Sequence, residues 1–75
     1  MAKLPSLNPK RIIRALKRAG FYVHHQTGSH ARLLHSARTE LRVTVPIHNR
    51  DLKPWLVNEI LRQADLTAEE FRELL

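Results

Sequence analysis

Cysteine is absent from this chain. That excludes disulfides and thiolate metal sites, and it fits a protein of the reducing cytoplasm. Long apolar runs are missing as well. The opening "MAKLPSLNPKRIIRALK" holds no stretch long enough for a secretion signal or a membrane span. The expectation is a protein with no membrane partner that stays in the cytoplasm. Glycine occurs only twice, at Gly20 and Gly28, and each sits where a helix or a strand should end. At 75 residues the chain predicts one domain, 1–75, with one small core.

Acidic charge is scarce in one part only. Residues 1–50 hold ten Lys/Arg against a single acid, Glu40, for a formal +9, whereas residues 51–75 carry −3. So lopsided a charge on so small a domain points to a polyanion, most simply a nucleic acid held through its phosphates. The plainer reading is a basic surface that aids solubility.

What is present is well punctuated. Asn8 is a good N-cap, with Pro9 at the first helical position and Leu7 and Ile12 placed as a hydrophobic staple. Ile12, Ile13, Leu16 and Ala19 recur at helical spacing, and Gly20 with Phe21 reads as a left-handed ending, which predicts a helix over 9–19. Its other face carries Lys10, Arg14, Lys17 and Arg18, a basic ridge suited to phosphates.

Three short strands should follow, "FYVHH", "HARLLH" and "LRVTVP". Pro54 then opens a second helix with Leu56, Ile60, Leu61 and Ala64 inward, and Thr67 with Glu70 forms the capping box of a third. The order predicts an α+β fold: a three-stranded antiparallel sheet with helices on one face and the other face open.

The stretch "HHQTGSHARLLH" packs four of the five histidines into residues 24–35. A metal site, a catalytic site and a run of exposed polar residues all fit that description. Strand parity separates them. With Val23 and Leu33 inward, residues 27–29 form the loop, Gly28 supplies a positive φ, and Gln26 lies opposite His30. His24, His30, Arg32 and Arg42 then share the open face, and His25 and His35 take the core side. Zinc needs converging ligands, and no acid lies in the stretch, so no metal or cofactor is expected. Nor does anything call for a small-molecule ligand. Imidazole among cations can instead move protons during phosphodiester cleavage.

Taken together, "LKRAGF" (16–21), "GSH" (28–30), "RVTVPIH" (42–48) and "LVNEILRQADLTAEEFRELL" (56–75) resemble, in order and spacing, the HicA toxins of HicAB toxin–antitoxin systems. The resemblance implies an α-β-β-β-α fold related to double-stranded RNA-binding domains. It also implies metal-independent cleavage of mRNA and masking by a HicB-type antitoxin. His30 would be catalytic, on a turn made by Gly28 and Ser29, with Arg32 and Arg42 joining the ridge in RNA binding. His24 and His48 are supporting candidates. The second proton carrier stays open among His24, His48, Tyr22 and water. Ala31, Asp65 and Trp55 depart from the family pattern. Trp55 suits either a partner interface or a half-buried core. A non-catalytic RNA-binding module of the same fold is the alternative reading.

Overall fold

The computed structural model describes Leu4 and residues 6–75; residues 1–3 and 5, part of the opening stretch read above for a leader, lie outside the described residues. The order is α1 (Pro9–Arg18), β1 (Phe21–Gln26), β2 (His30–His35), β3 (Arg42–Pro46), α2 (Pro54–Ala64) and α3 (Ala68–Leu74). The strands form one antiparallel sheet in the order β1-β2-β3. The helices take one face, so the expected α+β architecture is the one observed.

The helix ends follow the local chemistry. Asn8 Oδ1 accepts from the Lys10 N–H at 2.9 Å, and Pro9 sits at the start of α1. Gly20, at φ +104°, ends the helix in the conformation only glycine adopts freely. At α3 both halves of the capping box form: Glu70 N–H to Thr67 Oγ1 at 3.0 Å, and Thr67 N–H to Glu70 Oε1 at 2.8 Å. A cap of this kind stabilises by about 1 kcal/mol.

Asp65 is the departure that most needs a physical account. It ends α2 at φ 55°, ψ 44°, the only non-glycine in the left-handed region among the described residues. Leu66 N–H reaches Leu61 O at 3.0 Å, which closes the ending. The left-handed backbone costs about 1 kcal/mol for a residue with a Cβ. In return the carboxylate accepts from Arg38 Nη1 at 2.7 Å, and Arg38 also contacts Glu40. The Asp65 hydrogen bond holds the Arg38 guanidinium above its ordinary value.

The core joins Ile12, Ala15 and Leu16 of α1 to Ala31, Leu33, Val43 and Val45 of the sheet, with Val57, Ile60, Leu61 and Phe71 closing it. Ile60, Leu61 and Ala64 of α2 are buried as expected, while Val57 takes the place expected of Leu56, which is only partly buried. A two-way backbone bridge also ties Leu7 to Leu52, seating the start of α1 against the turn before α2. Trp55 is 67% exposed, which overturns its reading as a core aromatic.

The register of the first hairpin also differs from expectation. Val23 faces Leu33, as expected, but a bulge follows at His24, and beyond it His25 faces Arg32 and Gln26 faces Ala31. The extra residue reverses the parity of the strand end. Gln26 therefore turns to the helix side, and His25 turns to the open face instead of the core margin. The loop shortens to Gly28 and Ser29, with Thr27 N–H donating to His30 O at 2.9 Å. Gly28 stays outside the left-handed region, and a Cβ there would meet nothing within 4 Å. Its expected positive φ is not used, because the Thr27 hydroxyl shapes the turn.

Candidate functional site

The turn before His30 is held by short-range hydrogen bonds. Thr27 Oγ1 accepts from the N–H of His30 at 3.0 Å and of Ser29 at 3.3 Å. Hydroxyls close such turns by standing in for a backbone carbonyl. From the other side, Ile47 N–H donates to Ser29 O at 2.7 Å, which fastens the loop to the exit of β3. Thr27 was not among the residues singled out from sequence. The adjoining Thr-Gly-Ser pattern is the signal that could have found it.

His30 opens β2 with an exposed side chain. Ser29 Oγ lies 3.0 Å from His30 Nδ1. When Nδ1–H donates to the hydroxyl, Nε2 is bare and can take a proton. When the ring is protonated both nitrogens carry hydrogen, so Nδ1–H donates to the hydroxyl and Nε2–H can be given up. Ser29 thus holds the ring as well as shaping the turn.

Two depressions cover the open face. One, of about 530 Å³, is lined by His25, Thr27, His30, Arg32 and Thr44. Its neighbour, of about 280 Å³, shares Arg32 and Thr44 and adds His24 and Arg42. Arg32 stands opposite Thr44, and Leu34 opposite Arg42, so the two guanidinium groups rise from adjacent strands. Among the described residues no carboxylate lines either depression.

The structure gathers the predicted cations in two places. Lys10, Arg14 and Lys17 line a third depression, with Gln26 and Ile47, on the helix side of the hairpin tip. They reach the tip but not the face of His30. Arg18 sits apart, its guanidinium donating to Leu74 O at the end of α3. His48 is exposed, and its Nδ1 accepts from the Arg50 N–H at 3.2 Å within a turn. It lines neither open-face depression.

His35, at the opposite end of β2, is fully engaged. Its Nδ1 accepts from the N–H groups of Ala37 and Arg38 at 3.1 and 2.9 Å, which leaves Nε2–H to donate to Ala19 O at 2.9 Å. The ring also meets Phe21 edge-on, with centroids 4.9 Å apart. This histidine is structural. Among the described residues no three His, Asp or Glu side chains converge in a way that could hold a metal ion. No described helix is long and apolar enough to cross a membrane.

A search of curated proteins finds no match. Residues 9–66, from the start of α1 to the end of α2, match the family described as the HicA toxin of bacterial toxin-antitoxin, and the chain belongs to that family.

Proposed function

We propose that this protein is an endoribonuclease toxin that cleaves mRNA in the cytoplasm and is masked by a HicB-type antitoxin. His30 is its catalytic residue. The observation that carries this reading is the setting of His30: an exposed imidazole, oriented through Nδ1 by Ser29, on an open face beside Arg32, in a depression that no carboxylate of the described residues lines.

The chemistry needs only groups of this kind. A base removes the proton of a ribose 2′-hydroxyl, and its oxygen bonds to the adjacent phosphorus. The P–O5′ bond breaks, and an acid protonates the departing oxygen. His30 Nε2 performs one of these transfers, and the Arg32 guanidinium stabilises the added negative charge on phosphorus. Arg42 and the Lys10, Arg14 and Lys17 ridge hold flanking phosphates, so the strand passes around the hairpin tip from one side to the other. Arg18, committed to Leu74 O, contributes least. Steep weakening by salt is the expected signature of these contacts.

The purified chain incubated with RNA should produce new ends. His30→Ala should lower the rate by about 10²–10⁴-fold. Undiminished cleavage by His30→Ala overturns the assignment. Salt-dependent binding by the unaltered chain without new ends leaves the non-catalytic RNA-binding module in its place.

A further inference from the structure

We infer that His25 is the second proton-transfer residue, working with His30 across one phosphodiester; this rests on the ribonuclease reading above. Simple alternation along β1 sends His25 to the core side. The bulge at His24 reverses that, placing His25 opposite Arg32 and, with Thr27 opposite His30, on the open face. His25 and His30 are then diagonal neighbours on adjacent strands, a relation that spans roughly 7–8 Å between backbones and lies within reach of long side chains. Both rings line the same depression, with Arg32 beside them.

The remaining candidates are less suited. The Nδ1 of His48 is held in its own turn, and His35 is bonded through both nitrogens. His24 opens into the neighbouring depression with Arg42, and Tyr22 lies farther along β1, opposite Leu34. The His25 side chain is exposed and makes no side-chain hydrogen bond among the described residues, so its nitrogens are available to substrate. The titratable and charged groups facing it are His30 and Arg32, with His24 and Arg42 next door.

Two imidazoles balance the step. The neutral one takes the 2′-hydroxyl proton as the O2′–P bond forms. The protonated one delivers a proton to O5′ as the P–O5′ bond breaks. The products are a 2′,3′-cyclic phosphate and a 5′-hydroxyl, and solvent exchange restores the two rings.

The test is the pH–rate profile of the purified chain on a chimeric oligonucleotide with one ribose. The unaltered chain should give a bell, because one group must be deprotonated and the other protonated. His25→Ala, and His25→Gln as a bulkier control, should lower kcat by about 10²–10⁴-fold and abolish one limb, with circular dichroism unchanged. A substrate with a nitrophenolate leaving group needs no acid; recovery of the His25 variants on it marks His25 as the acid, and no recovery marks it as the base. A wild-type bell and kcat in the His25 variants, or a change in KM alone, overturns the inference. If His30→Ala is inactive in the same assay, the ribonuclease reading survives that failure; if His30→Ala also cleaves normally, both fall.

Discussion

The two ends of β2 are built from the same residue types and serve opposite purposes. At one end stand Gly28, Ser29 and His30; at the other, Gly20, His35 and Ser36. Ser36 bonds to Gly20 O through both its N–H and its hydroxyl, at 3.0 and 3.1 Å, and His35 spends both ring nitrogens on backbone partners. His30 has one nitrogen held by Ser29 and the other facing the open depression. Residue type therefore does not assign the role. What differs is how many backbone groups stand within reach of the ring, and that depends on whether helix α1 ends against the strand.

The glycines should break this comparison most sharply. Gly20→Ala forces a Cβ into a positive-φ position and within 2.6 Å of His35 Nε2. We expect a loss of roughly 2–4 kcal/mol in urea unfolding. Gly28→Ala should change stability by less than about 0.5 kcal/mol, since its Cβ enters open space. A comparable loss at both positions would erase the distinction.

The histidines come next. His35→Ala removes three hydrogen bonds and an aromatic contact in a half-buried place, a loss of about 1–3 kcal/mol. His30→Ala, already expected to slow cleavage by about 10²–10⁴-fold, should stay within about 0.5 kcal/mol of the unaltered chain by the same measurement. Equal destabilisation by the two would make His30 a structural residue too.

The smallest effect sharpens the His35 end, where Arg38 reaches from the ring's neighbourhood to Asp65. Both Asp65→Gly and Asp65→Ala remove the exposed ion pair, but only glycine accepts the left-handed backbone without strain. Asp65→Gly should melt above Asp65→Ala by an amount equivalent to about 1 kcal/mol. Identical melting of the two variants would show that the left-handed turn relaxes when the pair is lost.

Much of this was legible in advance. The caps at Asn8 and Thr67, the glycine ending at Gly20 and the strand pattern of "LRVTVP" are local signals, each needing only a few neighbouring residues. They set the element order and the open face. The histidine after Gly-Ser stood out for the same reason. The Leu7–Leu52 bridge, the Arg18–Leu74 contact and the partner of Asp65 were not legible, because each joins residues far apart in sequence.

Local chemistry thus wrote the helices, the strands, the basic half of the chain and the prominence of His30, because caps, turns and periodicity act over one or two turns of chain. Which face His25 occupies, which histidine is bound up in structure and which cations reach the site were set by packing alone. A bulge is a compromise between two strands and the helix that packs against them. Strand alternation predicts its absence, and only the folded pairing of Val23 with Leu33 and His25 with Arg32 puts it there.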